Sequence, residues 1–355
     1  MSAAVVFGGY GTFGTHVVRE LARLGIAVIV AGRDGQRAEE LARLLGRPHR
    51  GVRADASSLE SCLSVLHAPL VAVNCAGPFH KLGTAVLEAC LTKGCHYADI
   101  ADDRSYTIQV RRLHRRLAER GLAAVYGCSS LPGLSGVLAA LQTEGASARP
   151  LKARVTLFIG NANPKGEAAI ASLLHTLGRP VETPLGTVKG YRQREVVELP
   201  KPFGKRGVFN FLSPEYDLFP EAFGVRQVAV KVGFELRLAT YSLALLAALG
   251  GPGRASMQRW LGPIGGLLSG VGSSGGAVMT ELLWENGRWS RAALLVRSQG
   301  QTMAAMPCVL AVEALCGESR RPSGALALWE FLDARTVVER LKTEGVELIL
   351  EPVQG

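Results

Sequence analysis

The sequence predicts an α/β protein: a doubly wound parallel sheet followed by a second, α+β domain. Three observations carry this. A glycine-rich turn, Gly8-Gly9-Tyr10-Gly11-Thr12-Phe13-Gly14, separates an apolar run, residues 3–7, from an amphipathic stretch, residues 15–24. Strand and helix signals then alternate through the first third of the chain. At 355 residues the chain is too long for one ordinary core, so two domains are expected.

The first strand and its turn come first in the chain. Gly9, Gly11 and Gly14 have the spacing G-x-G-x-x-G between a strand and a helix, the context in which that spacing carries meaning. The first glycine permits a tight turn, the second lets the backbone approach a pyrophosphate, and the third lets helix and strand pack closely. Free N–H groups and the dipole at the helix N-terminus favour phosphate. Gly9, Tyr10, Gly11, Thr12, Phe13 and Gly14 are therefore the expected contacts to a dinucleotide in a Rossmann-type domain.

Residues 27–32 (AVIVAG) read as a second strand, continuously apolar as parallel strands are. A charged helix follows, with Ala38, Leu41, Leu44 and Leu45 on one face. The third strand is expected at 52–55, the fourth at 70–74, a helix from 85 to Gly94, the fifth strand at 96–100 and the sixth at 123–127. A basic helix crosses between the last two. Right-handed crossovers give the order 3-2-1-4-5-6, with the cofactor crevice outside the carboxyl ends.

The second strand ends in Gly32-Arg33. An NAD-binding strand usually ends in Asp or Glu, about 20 residues past the first glycine, to bind the ribose 2′-hydroxyl. A guanidinium at that tip pairs instead with a 2′-phosphate and stacks on adenine. Arg33 therefore points to NADP, and Asp34 is expected to face elsewhere. Asp55 is placed either at the adenine or at a helix N-cap. Asn74-Cys75-Ala76-Gly77-Pro78-Phe79 ends the fourth strand, where the nicotinamide ribose is expected; Pro78 stiffens that turn and Gly77 leaves room for the ring. Reduction of a carbonyl or imine also needs a proton donor within reach. His80, Lys81, Tyr97, Asp99, Asp102 and Asp103 are candidates, with Lys81 and Asp102 taken first as catalytic residues.

Past Pro150 the pattern changes. A strand at 152–159 and a helix at 168–177 precede a longer irregular part holding Pro200, Pro202, Pro214 and Pro220. Residues 225–232 alternate as an exposed strand would, and 291–297 read as another strand. Residues 301–316 form a small-residue helix with Pro307 as a kink point. Residues 325–329, 333–344 and 346–350 make a closing strand–helix–strand. The expected domains are 1–135, 136–324 and 325–355. Residues 238–253 and 261–280 carry no charge, but Pro263 and seven glycines make the second run a poor transmembrane helix. The stretch 238–280 is expected as a buried or interfacial helix–loop–helix insert, with peripheral membrane contact as the alternative. Arg192, Arg194, Lys201, Lys205 and Arg206 are the cations available to an anionic substrate.

A content of 48% hydrophobic and 20% charged residues is that of a soluble globular protein. The net charge of +10 admits nucleic acid, anionic lipid or an anionic cofactor as partner. Aromatic content of 6%, with no basic stripe interleaved with aromatics, weighs against nucleic acid. The densest basic cluster, Arg111, Arg112, Arg115, Arg116 and Arg120, lies opposite Val110, Leu113 and Leu117 and reads as a solvated helix face. Seven cysteines without C-x-x-C pairs or metal-ligand spacing fit reduced thiols and a cytoplasmic compartment. The first strand starts almost at Met1, so no signal peptide is expected.

The turn from Asn74 to Phe79, with Gly83, Glu88-Ala89-Cys90, Gly94 and His96-Tyr97-Ala98-Asp99-Ile100, resembles the saccharopine dehydrogenase-like (saccharopine reductase-like) oxidoreductases. Their fourth strand ends in a similar N-x-x-G-P-[FY] turn and their fifth reads H-Y-x-D. The loop Gly9 to Gly14 and Gly127-Cys128-Ser129-Ser130-Leu131-Pro132 are similar too. The resemblance is strong over residues 1 to about 135. It implies an NADP-binding Rossmann domain with a mixed α/β domain, often dimeric, so a homodimer is expected. The chain is shorter than the saccharopine-forming enzymes, with no room expected for their full second domain, which argues against saccharopine as substrate. Its uncharged insert looks more like the lipid-associated and trans-acting enoyl-reductase-like branch. Three functions follow as alternatives. The first is an NADP-dependent reductase of a carbonyl, imine or enoyl group on a small-molecule or lipid-like substrate. The others are a nucleotide-binding but non-catalytic sensor or membrane-surface protein, and a trans-acting enoyl reductase on a lipid- or carrier-bound substrate.

Overall fold

The computed structural model describes residues 3–67, 70–164, 166–183, 186–248, 272–317 and 322–353. The chain divides into two compact units, residues 1–129 with 304–333, and residues 130–303 with 334–355.

The first unit is built on strands β1 (Ala3–Phe7), β2 (Ala27–Gly32), β3 (Arg50–Arg53), β4 (Val71–Asn74), β5 (His96–Asp99) and β6 (Ala123–Tyr126). Helices α1 (Thr12–Arg23), α2 (Gly35–Leu45), α3 (Leu59–Val65), α4 (Ala85–Lys93), α5 (Arg104–Arg112) and α6 (His114–Glu119) connect them. All pairs are parallel and the order is 3-2-1-4-5-6, as the sequence predicts. The central strands are apolar on both faces because helices cover both. Val5, Val6, Val28, Val30, Val71 and Val73 are all buried, each contributing about 1.5–3 kcal/mol.

Local chemistry sets the helix ends. Asp34 caps α2, accepting from Gln36 N–H at 3.0 Å and Arg37 N–H at 3.1 Å. Ser58 caps α3 and Asp103 caps α5. Gly94 stops α4 in the left-handed region, φ +71°.

Three expectations for this unit are corrected. A seventh strand, Gly324–Ala327, pairs in parallel with β6, so it joins the first sheet rather than a closing domain. Four small apolar residues make a weak local signal, and the edge of β6 supplies their partner. The helix α1 begins at Thr12, inside the glycine motif. The basic helix is two helices, meeting at Leu113. On it, Arg115 pairs with Glu119 at 2.8 Å and Arg116 with Glu88 at 3.2 Å.

The second unit holds a seven-stranded sheet in the spatial order Glu195–Leu199, Gly204–Asn210, Gln227–Phe234, Pro150–Ile159, Gly276–Trp284, Trp289–Val296, Glu347–Val353. Only the pair Gln227–Phe234 and Pro150–Ile159 is parallel. Gln227–Phe234 is thus an interior strand, not an exposed one. Its alternation arises from Lys231, which is buried. Lys231 Nζ reaches Glu195 Oε1 at 2.5 Å and Asn210 Oδ1 at 2.7 Å, so the charge is compensated. The part expected as irregular carries two hairpins, Pro180–Thr183 with Gly186–Lys189 and Glu195–Leu199 with Gly204–Asn210, and a helix, Glu215–Phe223. Cross-strand pairing, invisible to local propensity, makes them strands.

Of the uncharged insert, 237–248 is helix and 276–284 is strand, so its C-terminal part is not helix–loop–helix. Residues 249–271, with Pro263 and most of the glycines, lie outside the described residues. Among the described residues no helix is long and apolar enough to cross a membrane. The helix Gly300–Cys316 continues through Pro307, and from Ala304 on it groups with the first unit.

Gly51 on β3 sits flush against α2. A Cβ there would overlap backbone atoms of Ala38 and Glu39, which cannot swing aside. Gly51→Ala should cost about 1–3 kcal/mol, read as a lowered thermal midpoint. An unchanged midpoint would show that α2 is not seated on β3.

Candidate nucleotide site

The site forms where β1 and β4 end side by side. The Gly8 N–H donates to Ala31 O at 2.8 Å and the Cys75 N–H to Phe7 O at 2.8 Å, which tie the glycine loop to β2 and the turn 75–79 to β1. Gly8 has φ +71°, and a Cβ on it would lie 2.7 Å from Ala76 N. A Cβ on Gly14 would overlap Gly8 O. Loop and turn therefore touch through bare backbone.

Gly11 is the N-cap of α1 and has no side chain to cap it. The first bond of the helix runs from Thr15 N–H to Gly11 O at 2.9 Å. The N–H groups of Thr12, Phe13 and Gly14 thus have no acceptor within the helix and no capping side chain. This is the cradle a pyrophosphate requires, and the residues present fit a dinucleotide.

At the tip of β2 the Tyr10 ring lies over Gly32, where any Cβ would overlap it, and its hydroxyl accepts the Asp34 N–H at 2.9 Å. Arg33 is exposed. Asp34 is turned into its own helix, as expected. Asp55 accepts from Ser57 N–H at 2.9 Å and Ser57 Oγ at 2.7 Å. These bonds to Ser57 hold its carboxyl below the usual range, and the Arg33 charge adds to the effect. It is not an N-cap, since Ser58 takes that position.

At the other end of the site, Asn74 is buried. Its Oδ1 accepts the Ala76 N–H at 3.1 Å and its Nδ2 donates to Tyr106 Oη at 3.1 Å. Tyr106 Oη meets Tyr97 Oη at 2.7 Å, and Phe79 packs edge-on against the Tyr106 ring at 5.0 Å. The turn 74–79 is thus held from beneath by two tyrosines. The sequence reading missed Tyr106. The signal was there: a tyrosine on the apolar face of a short helix, needing a partner for its hydroxyl once buried.

Asp99 is fully buried at the end of β5. Its Oδ1 accepts from Ala101 N–H at 3.0 Å and Gly127 N–H at 2.8 Å, while among the described residues Oδ2 has no hydrogen-bond partner. Burial raises its pKa to about 6, against the lowering effect of those two N–H groups. Tyr97, Asp99 and Asp103 are therefore engaged in internal bonds. Lys81 is exposed in a 3-10 turn, Phe79–Lys81, directly after the candidate nicotinamide turn. Asp102 is half-buried just ahead of α5.

In the second unit the expected cations are dispersed. Arg194 donates to Tyr241 Oη at 3.2 Å, Arg206 lies over the Phe158 ring at 5.5 Å, and Arg192, Lys201 and Lys205 are exposed. Among the described residues no group of three His, Cys, Asp or Glu could hold a metal ion.

A glycine cradle at the carboxyl ends of a 3-2-1-4-5-6 parallel sheet defines a dinucleotide-binding domain of the Rossmann type. Residues 4–125 match the family model of the saccharopine dehydrogenase NADP binding domain, so the chain carries that NADP-binding domain. It is 27% identical over 180 residues to a mouse saccharopine dehydrogenase-like oxidoreductase, covering 46% of this chain and 42% of that one. It is 28% identical over 130 residues to a Mycobacterium tuberculosis protein provisionally named a trans-acting enoyl reductase, covering 35% and 31%. The match thus spans less than half the length of these relatives. In structure it resembles apo saccharopine dehydrogenase (L-Glu forming) from Saccharomyces cerevisiae, with a TM-score of 0.66 at 14% identity over 100% of both chains. That likeness is one of fold.

The raised pKa of Asp99 has a measurable consequence. Unfolded Asp titrates near about 3.9, so between there and about 6 the folded state binds the proton more tightly. The stabilising effect of that proton is complete below the unfolded pKa and lost as pH rises through about 6, a loss of about 3 kcal/mol. In Asp99→Asn the side-chain oxygen still accepts both N–H groups and no charge is buried. The difference in unfolding free energy between variant and wild type should therefore grow in the variant's favour from pH 4 to pH 7. A flat difference would mean that Asp99 titrates normally.

Proposed function

We propose that the protein is an NADP-dependent oxidoreductase that reduces a carbonyl, imine or enoyl group. The observation that carries this is the uncapped glycine turn lying backbone to backbone against the turn 74–79, with Arg33 at the tip of β2. Thr12, Phe13 and Gly14 N–H groups would hold the pyrophosphate, Arg33 the 2′-phosphate, and Asp55 the adenosine side. The backbone from Asn74 through Cys75, Ala76, Gly77 and Pro78 to Phe79 would border the nicotinamide. Bound NADPH supplies a hydride from its nicotinamide ring. The chain's own task is to orient that ring and to deliver a proton to the reduced substrate. Lys81, exposed directly after the turn 74–79, and Asp102, between the end of β5 and α5, are the proposed donors.

A second reading, turnover of a lipid- or carrier-bound enoyl group, is favoured by the similarity to the mycobacterial relative and by the stretch 238–280, whose only charged residues are Arg254 and Arg259. Contact with a membrane surface belongs to that reading, whereas a homodimer is proposed under either.

Fluorescence titration with NADPH and NADH tests the cofactor. Wild type should prefer NADPH by about ten-fold or more, and Arg33→Asp should abolish the preference. A wild-type preference for NADH would overturn the assignment. On a substrate that turns over, Lys81→Met or Asp102→Asn should lower kcat about 100-fold with the NADPH Kd unchanged. Full activity in both variants would remove them as donors.

A further inference from the structure

Resting on the NADP reading above, we propose that Tyr10 and Arg37 form a prebuilt second wall of the 2′-phosphate pocket, so that coenzyme choice depends on Arg37 as well as Arg33. Arg37 lies in the first turn of α2, and its guanidinium stands over the Tyr10 ring, 4.7 Å from the centroid. The ring cannot drift inward. It lies on Gly32 at the tip of β2, and its hydroxyl is fixed by the Asp34 N–H at 2.9 Å. Tyr10 is thus a shelf that holds Arg37 beside the strand end bearing Arg33.

Stacking occupies a face of a guanidinium and leaves its N–H groups at the edge, the geometry that binds phosphate oxygens. A stacked guanidinium also has less freedom to lose when it binds. The surrounding charge is consistent. Arg53, paired in register with Gly32, ends the neighbouring strand β3 and adds a third cation. The two nearby carboxylates are turned to other tasks: Asp34 accepts from Gln36 and Arg37 N–H, and Asp55 from Ser57. A ribose hydroxyl gains little from such a surface. A dianionic phosphate meets guanidinium groups on more than one side.

The test is calorimetric titration of the full chain with 2′,5′-ADP and 5′-AMP, and then with NADPH and NADH, for wild type, Arg37→Met and Tyr10→Leu. Arg37→Met should weaken 2′,5′-ADP and NADPH about ten-fold or more, and leave 5′-AMP and NADH within about two-fold. Tyr10→Leu, which keeps the cation but removes the shelf, should weaken the same two ligands by a smaller factor. Equal loss for all four ligands in Arg37→Met, or no loss, would overturn the inference. If wild type prefers 2′,5′-ADP through Arg33 alone, only this inference falls. If wild type binds none of the four, the NADP reading falls and takes this one with it.

Discussion

The site depends on backbone approaching backbone where β1 ends. Gly8 lies against Ala76, and Gly14 against Gly8, at distances that no Cβ would allow. From that contact follow the close seating of α1 on β1, the start of the helix at Thr12, and N–H groups left without acceptors within the helix. A side chain at Gly14 would push the helix off the glycine loop and misplace its donors, and one at Gly8 would push away the turn at Cys75 and Ala76. The steric requirement and the binding function are one constraint, because the same missing Cβ atoms admit a phosphate.

The two ends of the site are held by different physics. At the β2 tip the residues are exposed and cationic, supported by one aromatic ring. At the β4 end they are buried and hydrogen-bonded: Asn74, Tyr106, Tyr97 and Asp99 lie at or under the turn. Burying a carboxyl with one oxygen unpartnered costs free energy that an apolar core would not. What it gains is placement, since Asp99 holds the segments after β5 and β6 by their N–H groups. A charged, exposed rim and a buried, hydrogen-bonded floor suit a ligand that is anionic at one end and must be aligned at the other.

Most of the first unit was legible because its signals are local. A continuous apolar strand, a glycine turn and a cap such as Asp34 each follow from neighbours in sequence. The second unit was legible only in pieces. Lys231, alternating with apolar residues along its strand, looked like exposure, yet it is buried beside Glu195 and Asn210, residues far from it in the chain. The hairpins around Pro200 and Pro202 looked irregular because antiparallel pairing, not propensity, makes them strands. Asp55 and Asp103 were legible as polar punctuation, but their roles were decided by Ser57 and by the first turn of α5.

The sequence by itself determined the order of the first six strands, which follows from alternating strand and helix signals, and the glycine cradle and the basic residue at the β2 tip, each written within about thirty residues of chain. The tertiary structure alone decided three further things. It placed Gly324–Ala327 in the first sheet and Glu347–Val353 in the second, buried Tyr97 and Tyr106 beneath the turn, and put Arg37 on Tyr10. Those facts rest on contacts between residues distant in sequence, and such contacts exist only once the chain has closed on itself.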